Sequence, residues 1–357
     1  MKRTVLIDLS SLKDLFCGLG QVALTYGNYF RDVYKREASN CEITLLVPKA
    51  MFGKFGDEVK YLSSTRFITR KLQFLLPKFD VWHSIHQLSK FKPRNKHTKL
   101  ILTIHDLNYL YERIGKRKRK RHIQVQRKVE RADQVVCISY FTKSEVEKNL
   151  NIFGKECMVI YNHTEALKTK SAVEPNIDIK TPFFFSIGVF QKKKNFHVLL
   201  DLIKLMPEKQ LYIAGKEVND PKKNGYAQMI RKRIEEENIH NVKLVGPISQ
   251  NEKNWFYQHC EAFLFPSLFE GFGLPVIEAM QFGKPVFCSQ KTSLKEIGSE
   301  YAYFWQNFEA SHMKDVIDNN LEAFKNDNTK ITSELAYANS FTSYKHFESY
   351  IKLYETI

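Results

Sequence analysis

The stretch Pro266–Pro285, PSLFEGFGLPVIEAMQFGKP, decides how this chain reads. The run leading into it, AFLFPS, has the apolar character of a buried strand. The run that follows, PVIEAMQF, opens with a proline suited to a first helical turn and stops at Gly283. The segment therefore predicts strand, glycine loop, helix. Such a loop presents backbone N–H groups at a helix start, where phosphate binds readily. Glu270 falls in the loop and Glu278 about one turn into the helix. Two acids and an anion cradle suit a ligand with a diphosphate and several hydroxyls.

Working outward, SIGVFQKKKNFHVLL (Ser186–Leu200) predicts a strand ending at Gly188, a basic loop, and a helix from about Asn195. Lys193 and Lys194 would stand at the same site as Glu270. A lysine run alone is more often a solvated surface; its pairing with the glutamate segment favours a phosphate site. Charge-assisted contacts are worth roughly 1.5–3 kcal/mol each, against roughly 0.3–1 for a helix terminus. The lysines would supply most of the diphosphate affinity, and the Gly271–Gly273 backbone would fix geometry. In LILTIHDLNYL, His105 and Asp106 directly follow a buried-type strand. A single histidine is usually structural, as His83 and His86 illustrate, but the strand-end position gives His105 weight. Gly18-Leu19-Gly20-Gln21-Val22-Ala23 matches the dinucleotide fingerprint in form only. Roughly eight residues separate it from the first strand, where the fingerprint needs a tight turn. The second strand, EITLLVPK, also ends without the acid that would hold a ribose. A glycine-rich loop, with Gly20 allowing close approach to a ligand, fits better.

Strand-like runs (TVLIDL, EITLLV, VWHSI, KLILTIH, QVVCIS, CMVIY; then FFFSIG, QLYIAG, VKLVG, AFLFP, PVFCS) alternate with helical ones throughout. Helices are expected near Gln21–Glu37, Thr142–Leu150, Phe196–Leu205, Tyr226–Asn238 and Phe341–Thr356. This alternation predicts an α/β protein with parallel sheets covered on both faces. The polar, aperiodic stretch Glu165–Thr181, with Pro175, reads as the linker between two similar halves. Ligands of open α/β sheets bind at the carboxyl ends of strands, so the site is expected between the halves. No stretch reaches the ~18 apolar residues of a membrane span. The start, MKRTVLIDLSSLKDLF, reads as a first strand, not a signal peptide, because Asp8 interrupts it. The six cysteines are scattered, without a Cys-x-x-Cys pair, and predict isolated thiols in a reducing compartment. The net charge of +16 predicts an acidic partner. The sharpest cluster is Lys116-Arg117-Lys118-Arg119-Lys120-Arg121. It reads either as a solvated loop or, as preferred here, as a surface for anionic lipid. No zinc-finger, RRM or DNA-reading signature supports nucleic acid.

With these segments in place the chain resembles the retaining glycosyltransferases of the GT-B class in family 4. It is most similar to bacterial enzymes of O-antigen, capsule and exopolysaccharide synthesis, many of them mannosyltransferases. The likeness rests, in order, on Gly18–Gln21, Thr103–Leu107, Arg131-Ala132-Asp133 to Ser139, Lys193-Lys194-Asn195, and Glu270-x7-Glu278 enclosing Gly-Phe-Gly-Leu-Pro. It implies two Rossmann-like domains facing a cleft: residues 1–170 for the acceptor, 181–338 for the nucleotide-sugar, and 339–357 as a helix returning to the first domain. It further implies that Glu270, with Gly271, Phe272, Gly273 and Leu274, holds the donor sugar, and Glu278 the ribose. Lys193 and Lys194 would neutralise the diphosphate, Gly246 to Ile248 border the base, Gly20 approach the donor, and His105 touch the sugar near the reacting carbon. Catalysis would rest on His105, Glu270 and Lys194, with no metal or other cofactor. The donor would be a nucleotide-diphosphate sugar, GDP-mannose as first choice, and the acceptor a glycan or lipid-linked glycan. The implied location is cytoplasmic, peripheral on the inner face of an anionic inner membrane. Two departures stand out: Lys193 where the family often has arginine, and Tyr161-Asn162-His163 where Pro-Asn-Gly is usual. The competing readings are an NAD(P)-dependent oxidoreductase, from Gly18–Ala23, and a basic nucleic-acid or anionic-surface binder, from Lys116–Arg121.

Overall fold

A computed structural model describes residues 2–15, 18–35, 38–67, 69, 72, 76–164, 171–217 and 225–357. The chain forms two compact units, Met1–Asn162 with Ser343–Ile357, and His163–Thr342. The first six residues of the expected linker, 165–170, lie outside the described residues. The change of unit falls a few residues before them.

Unit 1 is built on a seven-stranded sheet in the order β3-β2-β1-β4-β5-β6-β7. Its strands are β1 (Arg3–Asp8), β2 (Cys41–Val47), β3 (Lys60–Ser63), β4 (Val81–Ser84), β5 (Lys99–Ile104), β6 (Gln134–Cys137) and β7 (Cys157–Val159). Every pairing is parallel. Side chains alternate across a strand, and the alternation divides two cores. Val5, Ile7, Ile43, Leu45 and Val47 face one, with Tyr26 and Phe30 of helix Gly18–Asp32. Leu6, Leu46, Leu100, Leu102 and Ile104 face the other, with Val125 and Val129 of helix Gly115–Arg131 and Val146 of helix Tyr140–Asn149. Burial on both faces explains why these strands read as continuous apolar runs.

The first core is closed by the last helix, Ser343–Thr356, through Phe347, Tyr350, Leu353 and Tyr354. The chain thus ends in its first unit.

Unit 2 has a six-stranded sheet in the order β10-β9-β8-β11-β12-β13. Its strands are β8 (Phe183–Ile187), β9 (Gln210–Ala214), β10 (Val242–Gly246), β11 (Ala262–Phe265), β12 (Val286–Ser289) and β13 (Tyr303–Trp305), all parallel. Phe184, Leu211, Ile213 and Leu264 pack under helices His197–Lys204, Gly225–Glu236 and Ala310–Lys325. On the opposite face Phe185 stacks on Phe256 with ring centroids 4.7 Å apart.

Three expectations change. The edge strands β3 and β13 are absent from the runs read as strands. Gly18–Gln21 is not a loop but the first turn of helix Gly18–Asp32. A Cβ on Gly20 would lie 1.9 Å from the Asp14 carbonyl oxygen, so the chain itself requires this glycine. The Lys116–Arg121 run is not a loop either; it is the front of a 17-residue helix.

Candidate functional site

In unit 2 the polar side chains gather beyond the carboxyl ends of β8, β11 and β12. β8 is flanked by β9 on one side and β11 on the other, so this is where the strand order reverses, the usual ligand position in an open α/β sheet.

After β8 the chain passes through a short turn, Lys192–Lys194, and Asn195 adopts φ 58° before helix His197–Lys204 begins. Asparagine tolerates this left-handed conformation better than most residues. The Lys194 side chain does not enter solvent. Its Nζ lies 2.5 Å from Glu270 Oε1, with the two side chains only 13% and 16% exposed. It also sits 4.9 Å from the centroid of the Phe265 ring, a cation–π contact. Gly188 makes room for it: a Cβ there would lie 3.0 Å from Lys194 Cε. Lys193 contributes its carbonyl, which accepts from the Leu268 N–H at 2.7 Å and lies 3.2 Å from Ser267 Oγ. The two segments singled out from sequence are therefore joined by backbone and by side chain.

The turn carrying Glu270 is fixed from several sides. Ser267 Oγ donates to Glu270 Oε1 at 2.6 Å. The Glu270 N–H donates to Thr292 Oγ1 at 3.1 Å. Ser293 Oγ lies 3.0 Å from the Glu270 carbonyl and 2.8 Å from that of Phe272. Gly273 has φ 110°, and a Cβ there would meet Leu294 Cδ2 at 2.6 Å. Helix Leu274–Met280 starts directly after it. The described hydrogen bonds of the Glu270 side chain all engage Oε1, so Oε2 keeps lone pairs for a ligand hydroxyl.

Glu278 is held by a third segment. Lys253 Nζ lies 2.7 Å from its Oε1, and the Tyr257 hydroxyl donates to its Oε2 at 3.0 Å. Burial holds the Tyr257 phenol well above its usual pKa, so it remains a donor. Both partners come from helix Gln250–His259, which opens with a Ser249/Glu252 capping box directly after Ile248. Gly246, with φ 80°, ends β10 and starts this connection. The Gly246–Ile248 segment thus leads into the helix that grips Glu278. A carboxylate offers about four lone-pair sites, and Lys253 and Tyr257 engage one oxygen of Glu278 each. Sequence reasoning missed Ser267, Thr292, Ser293, Lys253 and Tyr257. Ser267 lay inside the quoted stretch; the other four sit in segments that carry no motif.

In unit 1, His105 follows β5 and is 8% exposed. Its Nε2 lies 2.7 Å from the Ile85 carbonyl oxygen, so Nε2 carries the proton and Nδ1 the lone pair. Burial lowers its pKa to about 4, against a weaker opposing effect of the Ile85 carbonyl, so the ring is neutral near pH 7. Its backbone N–H donates to Gln87 Oε1 at 3.1 Å. His83, by contrast, is a core residue bonded to Tyr354 and Thr103. The fingerprint at Gly18–Ala23 is not a strand-to-helix turn, since β1 ends at Asp8 and the helix begins at Gly18. Among the described residues, no group of three or more His, Cys, Asp or Glu could hold a metal ion. No helix among them is long and apolar enough to cross a membrane.

Comparison with known proteins places this geometry. The family model for glycosyl transferases group 1 matches residues 168–349, and that for Glycosyltransferase Family 4 matches residues 28–165. The chain is 24% identical over 311 residues to the O-antigen chain mannosyltransferase RfbU of Salmonella typhimurium, covering 82% of this chain and 84% of that one. Its fold is similar to sucrose-phosphate synthase from Thermosynechococcus elongatus (TM-score 0.75, 16% identity, 99% and 98% of the two chains). It is also similar to HepE of Anabaena, solved with UDP-glucose (TM-score 0.73, 14% identity, 99% and 100%). The class is therefore a glycosyltransferase with the paired Rossmann-like domains of GT-B, a hexosyltransferase. The chain belongs to the glycosyl transferases group 1 family.

Proposed function

We propose that this protein is a retaining glycosyltransferase that moves a sugar from a nucleotide-diphosphate donor to a glycan or lipid-linked glycan in bacterial surface polysaccharide synthesis. Mannose from GDP-mannose is the first choice of donor, supported by the likeness to an O-antigen mannosyltransferase. The observation that carries the reading is the buried Lys194–Glu270 pair at the point of strand reversal, with Glu278 on the helix that follows. Glu270 accepts donor-sugar hydroxyls through Oε2, and the Gly271–Leu274 turn sets that carboxylate in place. Glu278 accepts ribose hydroxyls, and Gly246 to Ile248 border the base. Lys193 and Lys194 meet the diphosphate.

During transfer the bond between the anomeric carbon and the phosphate oxygen breaks. The acceptor oxygen bonds to that carbon on the same face, and its proton passes to the departing phosphate oxygen. Negative charge grows on the diphosphate, and a cation already in place stabilises it without reorganising. Neutral His105 offers Nδ1 as an acceptor to a donor-sugar hydroxyl, and Gly20 lies at the start of a helix in the same unit. The exposed cations of helix Gly115–Arg131 meet an anionic membrane surface, and the protein works at the cytoplasmic face.

The test pairs binding with turnover. A thermal-shift screen against GDP, UDP, ADP and their sugars should single out one base, because ligand binding raises apparent stability. Glu270→Ala should lower transfer at least ~100-fold while the fold survives. Lys194→Ala should lower donor kcat/KM by roughly 10- to 150-fold, the equivalent of one charge-assisted contact. Near wild-type turnover by folded Glu270→Ala would remove the proposed site.

A further inference from the structure

The chain joins unit 2 to unit 1 twice, at Asn162–His163 and at Thr342–Ser343. Inside unit 2 these two connections lie side by side: Thr164 and Thr342 form a parallel bridge, and the Thr164 N–H donates to the Phe341 carbonyl at 3.1 Å. Phe341 therefore staples the entering strand to the leaving one through its backbone. Its ring does something else. It meets the Phe272 ring edge-on, with centroids 5.9 Å apart and planes at 75°, and is backed by Tyr337 at 5.2 Å. Phe272 belongs to the donor turn and is 3% exposed. Ser293 holds its carbonyl, and the neighbouring Gly273 is fixed at φ 110°. Phe272 thus has little freedom of its own. A displacement of the turn must be taken up by the ring that bears on it, because packed side chains transmit small shifts rather than absorb them.

We propose that Phe341 is a positioning residue that couples occupancy of the Glu270–Gly273 turn to the paired backbone connections of unit 2. This rests on the donor reading above. A nucleotide that orders the turn tightens the Phe272–Phe341 contact, and with it the Thr164–Phe341 hydrogen bond. Linkage makes the effect reciprocal: the factor by which ligand closes the staple is the factor by which the closed staple strengthens ligand.

The readout is amide hydrogen exchange at Thr164, which reports opening of that one bond, measured on the full chain with GDP or UDP at saturation. In the wild type the nucleotide should slow Thr164 exchange by about 5- to 150-fold, the usual range of coupling between sites. In Phe341→Ala the nucleotide should still bind, more weakly by a similar factor, and Thr164 exchange should no longer respond. Phe341→Leu, which keeps most of the apolar volume, should restore part of the response and serves if the alanine variant fails to fold. Nucleotide binding with no change at Thr164 in the wild type overturns the coupling alone, as does an equal response in a folded variant. Failure of the wild type to bind GDP or UDP overturns the donor reading and the coupling together.

Discussion

Glu334 lies in helix Asn328–Asn339 with no exposed surface, and among the described residues neither of its carboxyl oxygens has a hydrogen-bond partner. Desolvation raises its pKa to about 9, only weakly opposed by Lys330, so the group is a neutral acid at pH 7. An unanswered buried polar group destabilises, and here the penalty depends on pH. The unfolded chain ionises near the ordinary carboxyl value, while the folded chain keeps its proton up to about pH 9. Between those values the unfolded state binds fewer protons, so rising pH favours unfolding by up to about 1.4 kcal/mol per pH unit from this group. Replacement by Met, similar in length and free of charge, should therefore raise Tm, with a gain that grows from pH 5 to pH 9. Thermal unfolding of the two proteins across that range checks this. A gain that stays flat with pH would show that Glu334 is already answered in solution.

At the scale of elements, helix Gly115–Arg131 combines features that seldom share a surface. Lys116, Arg117, Arg119 and Lys120 are exposed. Just ahead of them Ile114 is 87% exposed and Tyr111 51%. A helical array of cations beside exposed apolar surface suits a charged interface that also has an apolar interior. Each basic residue near such a surface contributes about 1 kcal/mol. Changing these four residues to Gln should weaken binding to phosphatidylglycerol vesicles at least ~10-fold at low salt, leaving transfer to a soluble acceptor nearly intact. Ile114→Asp should weaken vesicle binding at high salt, where electrostatics is screened. Unchanged sedimentation with vesicles in both variants would return this helix to an ordinary solvated face.

The same helix shows what could be read from the chain and what could not. Buried parallel strands such as Val5–Ile7 and Phe183–Phe185 announce themselves because both faces are covered and apolar residues run on without a break. The edge strands β3 and β13 do not, because only one flank is paired and three or four residues carry too little pattern. The basic run looked like a loop since its first turns hold no apolar residue; Val125 and Val129, which dock it, come only afterwards. Within the candidate site, Lys194 and Glu270 were legible as candidates for meeting charge and hydroxyls. Their mutual ion pair was not, because 76 residues separate them and only the sheet order brings β8 beside β11. Lys253 and Tyr257 were silent for the same reason: a helix face becomes a binding element only once its neighbour is known.

Across the whole molecule, the last helix makes unit 1 depend on histidine protonation. His346, on that helix, has Nδ1 2.6 Å from the Tyr161 carbonyl and Nε2 3.3 Å from the Tyr26 hydroxyl. His83 of β4 is bonded to Tyr354 and Thr103 and stacks on Tyr350, with centroids 4.6 Å apart. Neutral rings satisfy these partners, whereas an added proton would place charge among buried aromatics. Burial accordingly holds His346 down at about 4 and His83 well below 6.5. His105, in the same unit, is also lowered to about 4. The sign follows directly. Below pH 6.5 the unfolded chain takes up protons that the folded chain refuses, so stability is full above that pH and falls toward pH 4. His346 and His105 each contribute about 3 kcal/mol of the loss over that interval, and His83 adds to it in the same direction. Unit 1 should therefore lose Tm steeply in mild acid. His346→Gln, which keeps a donor and an acceptor without a titratable ring, should reduce the slope by one proton, about 1.4 kcal/mol per pH unit at most. Calorimetric unfolding from pH 7 to pH 4 measures both slopes. If they coincide, His346 titrates normally in solution, and the helix is held to the sheet by Phe347, Leu353 and Tyr354 without regard to its charge.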